Sequence, residues 1–516
     1  MTHVTAKRSL LWPSLVGALA GLVTLAVAEV IAAVMFTPAS SPLFAVGSLV
    51  IDFAPPWVKE LVIALFGTGD KVALFVVLGV LVLVIAAAVG ILQYRRPPWG
   101  IVALAAVGAV GVAAVATRNG ATPAWVAPTV VGLVGGALVL RFVTLRLRDW
   151  EESVREERAG VTRRRFLVGS AATAALALVA GIVARSVNAA TTTVDAVRQL
   201  VTLPPPATPA PAVPAGASLD IKGITPLFSA NKDFYRIDTA LQPPAVDAAT
   251  WSLTIDGMVE REVTITFDEL LALPLVEHSV TLMCVSNEVG GSLVGNAVWL
   301  GYPIHELLRR AGPLSGADMV LSTSVDGFTA GSPLPVLLDE NRTSLLAVGM
   351  NGQPLPIEHG FPARLVVPGL YGYVSATKWV ERMTVTTFAK DMGYWTPRGW
   401  SALGPVKVAS RIDVPRSGDP APQGTLTIAG VAWAQHRGIR GVEIRVDDGD
   451  WMPARLADAI SPDTWVQWVY EWEAVSGSHL VAVRATATDG DTQRETRLPP
   501  APNGSEGYHT ITVRVQ

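Results

Sequence analysis

Cysteine is almost missing from this chain: Cys284 is the only one in 516 residues. A lone thiol cannot close an intramolecular disulfide, so its use is packing, chemistry or metal ligation. Charge is scarce as well. Only 16% of residues are charged, and 40 Lys and Arg against 43 Asp and Glu leave a formal net charge of −3. That balance argues against a nucleic-acid partner, for which a basic surface is expected. The sequence holds no Cys-x-x-Cys-His haem attachment, no cysteine set for an iron–sulfur cluster and no nucleotide-binding glycine fingerprint. The seven histidines are His3, His278, His305, His359, His436, His479 and His509. None falls in a long apolar run, which removes the ligands that a haem held between membrane helices would need.

What the chain has in excess is apolar sequence. Hydrophobic residues make up 50% and the mean hydropathy is +0.40, too apolar for an ordinary soluble protein of this length. The excess is concentrated between Leu10 and about Arg185. Four runs, residues 11–36, 72–93, 99–116 and 125–140, predict transmembrane helices, and a fifth spans 166–184. Residues 57–66 are too short to cross and are placed at the interface. Lys7, Arg8, Arg95, Arg96, Arg141, Arg146 and Arg148 share one side, which the positive-inside rule makes cytoplasmic. Five crossings then put everything after Ala190 outside. Glu29, the main charge within a span, is expected at the interface. With so few buried charges the helices read as an anchor and docking surface rather than a transporter. Thr162-Arg163-Arg164-Arg165-Phe166-Leu167 matches a twin-arginine export signal, a route for proteins already folded around an intracellular cofactor; a plain positive-inside anchor is the alternative.

The expected organisation is a four-helix membrane domain (1–160), the fifth helix with its signal (161–190), a linker (191–220) and two outer domains (221–418 and 419–516). Repeated proline in 203–214 predicts an extended spacer holding the outer part off the bilayer. From 221 to 418 short strands and helices mix in an α+β pattern: 251–255 alternates as a half-buried strand, 267–271 reads as a short capped helix and 364–367 as a buried strand. After Pro422 the pattern is strands only, consistent with an immunoglobulin-like β-sandwich. Trp433, Trp451, Trp465, Trp468 and Trp472 are expected as core and interface anchors.

Five segments occur in order: Asn231-Lys232-Asp233-Phe234-Tyr235-Arg236; Thr281-Leu282-Met283-Cys284-Val285-Ser286-Asn287; Met350-Asn351-Gly352-Gln353-Pro354; His359-Gly360-Phe361-Pro362-Ala363-Arg364; and Ala376-Thr377-Lys378-Trp379. As a set they resemble the sulfite oxidase family of molybdopterin-dependent oxidoreductases, over residues from about 223 to the end. The resemblance implies molybdenum held by the Cys284 thiolate beside the dithiolene of one molybdopterin, a soft ligand suited to a high-valent centre. It also implies cofactor contacts by Asn231, Tyr235, Arg236, Ser324, His359, Arg364, Ser375, Thr377 and Lys378. Arg364 and Lys378 fall at the phosphate side, and Arg236 doubles as a substrate-side residue. The trailing sandwich then corresponds to the family's dimerisation domain, which makes a homodimer one option. A separate redox partner is implied, a cytochrome or a membrane haem protein.

Two positions depart from the family pattern. Val348 stands where sulfite oxidases carry a tyrosine, and Glu288-Val289 stand where they carry arginines that hold an anionic substrate, leaving Arg236 and Arg440 for that task. The expected activity is therefore oxygen-atom transfer on a small sulfur-containing substrate, at an extracytoplasmic site on a bacterial plasma membrane. Reduction of an S-oxide or N-oxide, of the methionine-sulfoxide type, stands as the alternative to sulfite oxidation. A non-catalytic membrane-tethered binding module is the alternative of another class.

Overall fold

The computed structural model describes residues 10–35, 40–55, 58, 61–62, 65–66, 70–118, 121–155, 160–189 and 198–516. Lys7, Arg8, His3, half of the 57–66 interface segment and the first residues of the 191–220 linker lie outside the described residues. The chain forms two compact units, residues 1–193 with 239–242, and 194–238 with 243–516.

The first unit is helical: α1 (Leu11–Val34), α2 (Pro42–Phe53), α3 (Asp70–Arg95), α4 (Trp99–Ala116), α5 (Ala127–Arg155) and α6 (Gly160–Ala189). Five spans are long and apolar enough to cross a membrane: Leu11–Val34, Lys71–Arg95, Trp99–Ala116, Pro123–Val154 and Arg163–Ala184. α1 packs against α3, α5 and α6. Small residues permit this: a Cβ on Gly90 would lie 2.2 Å from the Pro13 carbonyl, and one on Gly136 would lie 1.8 Å from Thr24 Oγ1. Such close backbone approach is how apolar helices associate when no hydrophobic driving force separates them from lipid. Glu29 is buried, and Ser41 Oγ donates to its Oε1 at 2.5 Å.

In the second unit, β1 (Ser252–Gly257), β2 (Val263–Thr266), β5 (Met319–Ser324), β6 (Thr329–Pro333) and β10 (Val380–Thr386) form one sheet, ordered β2-β1-β10-β5-β6. A second sheet is ordered β3 (Val276–Met283), β4 (Val294–Pro303), β7 (Leu345–Met350) and β8 (Gln353–Pro354), with β9 (Arg364–Val366) also paired to β7. The sheets and the short helices α7 (Phe267–Leu271) and α8 (Ile304–Ala311) share one core, centred on Trp299, Leu253, Leu282, Leu307 and Val366. α7 carries the expected cap. Thr266 Oγ1 accepts from the Glu269 N–H, and Glu269 Oε2 accepts from the Thr266 N–H at 2.9 Å, a reciprocal capping box.

The C-terminal region is β-rich. β11 (Ala409–Val414), β13 (Gly424–Trp433), β16 (Arg455–Leu456) and β17 (Val466–Ala474) make one sheet. β12 (Pro420–Ala421), β14 (Ile439–Val446), β15 (Met452–Pro453), β18 (Gly477–Ala487) and β19 (His509–Val515) make another. Inward residues of both, among them Ile428, Trp468, Ile444, Val483 and Val513, form a common core. Trp433 and Trp465 are buried instead in a cluster with Met283 and Tyr371, so they anchor this region to the α+β domain.

The proline-rich stretch does not stand free as a spacer. Ala207 N–H donates to the Leu275 carbonyl at 2.7 Å, Glu277 N–H donates to Thr208 O at 2.8 Å, and Leu203 packs on the core. The extended conformation that proline favours leaves its carbonyls free to pair with an exposed strand edge, and β3 supplies one.

Candidate active site

Cys284 follows directly on β3, and the loop after it is tied tightly. Its N–H donates to Leu293 O at 3.0 Å, its carbonyl accepts from Asn287 N at 3.1 Å, and Asn287 Oδ1 accepts from Leu293 N at 2.7 Å. The C-terminal region grips the strand just ahead of it. Thr281 Oγ1 accepts from Trp465 N at 2.8 Å and donates to Asn296 Oδ1 at 3.0 Å, while Thr281 O accepts from Gln435 Nε2 at 3.1 Å. The thiol is buried, and burial pushes its pKa up against the opposing effect of the Ser286 N–H and hydroxyl. A thiolate here needs a cation to stabilise it, which a bound metal would supply.

Burial holds the phenolic groups of Tyr235 and Tyr371 neutral, and the neighbouring Cys284 works in the same sense on both. The Arg364 charge works in the opposite sense on Tyr235, so the field around Tyr235 joins the thiol to a cationic side. There, Arg364 is buried, donates Nη1 to His359 O at 3.0 Å and stacks over Trp299 with 5.0 Å from guanidinium carbon to ring centroid. Burial lowers its pKa to about 10. His359 Nε2 pairs with the Asn231 carbonyl at 2.9 Å, and its pKa falls to about 4 through burial and then the Arg364 charge. The ring is therefore neutral, and against a carbonyl acceptor Nε2 carries the proton. Asn231 is fixed by Asn351, whose Nδ2 donates to its Oδ1 at 2.8 Å.

Lys378 and Arg236 converge on one carboxylate. Lys378 Nζ lies 2.7 Å and Arg236 Nε 2.9 Å from Asp238 Oδ2, in a side chain only 4% exposed. Burial lowers the Lys378 pKa to about 8 despite this partner. Arg236 Nη2 is buried with no hydrogen-bond partner among the described residues. Gly360, at φ +117°, lies between Arg364 and Lys378, and a Cβ there would meet the Arg364 Cβ at 2.9 Å. A strip of cations with one unmatched guanidinium donor fits an anion larger than Asp238 alone, as a phosphate ester would be.

The structure thus brings together Cys284, Tyr235, Asn231, His359, Arg364, Lys378 and Arg236. Ser324 Oγ contacts the N–H of Asp326 at 3.4 Å, whose carboxyl is raised in pKa by burial and senses Asp238 and Lys378. Ser375 and Thr377 are buried and engaged internally, Ser375 Oγ donating to Tyr371 O at 3.0 Å and Thr377 sharing a 2.7 Å hydrogen bond with Ser322. Asp238, Tyr371 and Asp326 were not anticipated. The signal for Asp238 was its place two residues after Arg236, where two expected cations need a counter-charge. Val348 is fully buried in β7 within the core. Glu288 is exposed beside a recess of about 150 Å³ that also touches Lys407 and Glu506. Arg440 is exposed on β14 and does not line that recess. Among the described residues no group of three or more His, Cys, Asp or Glu side chains is placed to hold a metal; a centre held by one thiolate and a pterin needs none.

Comparison with known proteins agrees with this arrangement. Residues 240–395 match the family model described as oxidoreductase molybdopterin binding domain. The uncharacterized oxidoreductase YuiH of Bacillus subtilis (strain 168) is 33% identical over 181 residues, covering 35% of this chain and 87% of its own. The mitochondrial sulfite oxidase of Homo sapiens is 30% identical over 260 residues, covering 42% of this chain and 47% of its own. A nitrate reductase of Oryza sativa subsp. japonica is 28% identical, covering 49% of this chain and 34% of its own. The match thus spans half or less of the length of these last two relatives. Among solved structures the sulfane dehydrogenase SoxCD from Paracoccus pantotrophus superposes with a TM-score of 0.50 at 22% identity, covering 56% of this chain and 82% of that one, a likeness of fold. The chain belongs to the molybdopterin-binding oxidoreductases, the family of sulfite oxidase and nitrate reductase. Its cofactor is molybdopterin carrying molybdenum.

Proposed function

We propose that the chain is a membrane-anchored molybdenum oxidoreductase acting on a small sulfur-containing substrate at an extracytoplasmic site of a bacterial plasma membrane. The observation that carries this is the run of side chains from a buried thiol, through Tyr235 and Arg364, to the Lys378–Asp238–Arg236 cluster. Cys284 would hold the metal, and Arg236, Arg364 and Lys378 the phosphate end. His359, Asn231 and Ser324 would lie along the pterin, with Ser375 and Thr377 shaping the turn beneath it. When bound, the cofactor supplies two-electron chemistry coupled to oxygen-atom transfer.

The chain's own residues define the environment. Tyr235 and Tyr371 remain protonated at neutral pH because both phenols are buried. Neutral His359 orients the Asn231 loop through its carbonyl. The C-terminal region, read as an immunoglobulin-like sandwich, holds the cysteine strand through Thr281 and leaves pairing of two subunits as an arrangement to be measured. Electrons leave or arrive through a separate redox protein.

S-oxide reduction is favoured over sulfite oxidation by one observation: the loop after Cys284 offers the carboxylate of Glu288 in place of a guanidinium, which discourages a small dianion. Turnover of sulfite with an oxidised dye, beside turnover of methionine sulfoxide with a reduced dye, separates the two directions. Cys284→Ser is expected to abolish whichever is present while leaving the thermal midpoint nearly unchanged; retained turnover refutes the ligand role.

A further inference from the structure

On α5, Val139, Phe142 and Arg146 recur at intervals of three and four residues, and on α6 Arg165, Val168 and Gly169 do the same, so each helix presents one stripe. The two stripes line a groove of about 820 Å³. Its walls are apolar along most of their length, while Arg146, Arg164 and Arg165 gather at one end. Phe166 forms a buried floor, stacked on Trp150 at 5.3 Å and edge-on to Trp12 at 5.9 Å. The Arg146 guanidinium carbon stands 4.8 Å from the Phe142 ring centroid. Among the described residues no carboxylate pairs with any of the three arginines, and none lines the groove.

We propose that this groove binds one anionic phospholipid, with its phosphate among Arg146, Arg164 and Arg165 and an acyl chain along Val139, Phe142 and Val168. Three guanidinium groups at the mouth of an apolar slot complement an amphiphilic phosphate diester, and basic recesses between cytoplasmic helix ends are suited to such headgroups. The inference rests on the reading that these helices span a membrane. It gives the arginine run, whose sequence matches an export signal, a second use in the folded protein.

The test is native mass spectrometry of the full chain in mixed micelles containing phosphatidylglycerol and phosphatidylcholine, with inorganic phosphate as a separate probe. Phosphatidylglycerol should be retained at about fivefold or more over phosphatidylcholine, and Arg146→Gln should cut that retention about fivefold, the effect of one basic residue near an anionic lipid. Gly169→Leu should cut it too: a Cβ there meets nothing within 4 Å, so the added side chain enters the groove without disturbing the helix pair. Arg141→Gln, which removes the same charge from α5 outside the groove, should leave retention unchanged. Equal retention of both lipids, indifference to Arg146→Gln and Gly169→Leu, or full displacement by inorganic phosphate overturns the proposal. A chain that stays in water without detergent or lipid would sink the membrane reading and this inference together, whereas equal binding of the two lipids sinks only the inference.

Discussion

Replacing Lys378 by Met should change both how tightly the cofactor is held and how that hold depends on pH. Lys378 is buried, and burial is the largest cause moving its pKa from 10.5 to about 8, with Asp238 at 2.7 Å opposing the shift. At about 1.36 kcal/mol per unit, charging this amine costs roughly 3 kcal/mol more in the cofactor-free fold than in the unfolded chain. The sign follows. Between pH 8 and 10.5 the unfolded chain holds more protons, so cofactor-free protein gains stability as pH rises through that window. A phosphate dianion beside Nζ reverses the balance by favouring the ammonium. Binding above pH 8 therefore takes up a proton, and affinity falls by up to tenfold per pH unit. Lys378→Met removes that proton and a charged hydrogen bond worth about 1.5–3 kcal/mol, so retention at pH 7 should fall by roughly ten- to a hundredfold. The measurement is molybdenum and pterin content after matched washes from pH 7 to 10, taken as the ratio of wild type to variant so that other titrating groups cancel. That ratio should shrink as pH climbs past 8. Arg236→Met should lower retention and keep the pH dependence, because its guanidinium does not titrate there. A wild-type-to-Lys378→Met ratio that is constant across pH refutes the reasoning.

Three further outcomes follow from the same structure. His359, with its pKa lowered to about 4, stays neutral while the unfolded chain takes up a proton below about pH 6.5. The cofactor-free protein should therefore lose roughly 3 kcal/mol between pH 6.5 and 4 from this residue, and His359→Gln should flatten that part of a pH series of denaturation midpoints. Trp465→Ala removes a fully buried indole whose N–H donates to Leu227 O at 2.8 Å; a loss of about 3–5 kcal/mol is expected in chemical unfolding of the second unit. Gly136→Leu should disrupt the helical unit, since its Cβ alone would overlap Thr24 Oγ1, and circular dichroism in detergent should show a lowered melting midpoint where Gly169→Leu shows none.

The candidate site was proposed from the sequence because cofactor chemistry restricts residue types. On the proposed reading a metal draws on the single thiol and a phosphate on arginine and lysine, and both sit beside glycine or proline that only particular turns require. Gly360 shows why: at φ +117°, with Arg364 and Lys378 close on either side, the position tolerates no side chain. The strands were legible where buried and less buried residues alternate, as in β14. What was not legible depended on long-range pairing. Asp238 serves Lys378, 140 residues away, and no local pattern announces that a carboxylate will be buried between two cations. The proline-rich stretch reads as a spacer in isolation and becomes an edge partner only because β3 is there to receive it. The hydroxyl that Ser41 donates to Glu29, twelve residues away, is likewise not announced by any local pattern.

The same distinction explains why the C-terminal region belongs to the site's architecture although it supplies none of the expected cofactor contacts. Cys284 must present one sulfur in a fixed direction, and a strand end followed by a nine-residue loop would not do that unaided. Thr281 is held by Gln435 and Trp465, Met283 lies against Trp433, and Asn287 O accepts from Ser505 Oγ at 2.7 Å. His278 is clamped on Asp463 at 2.7 Å from the same side. Four positions from 278 to 287 are therefore gripped by a region that begins more than a hundred residues later. A thiol placed this way has its rotational freedom removed before any metal arrives, which lowers the entropic cost of ligation.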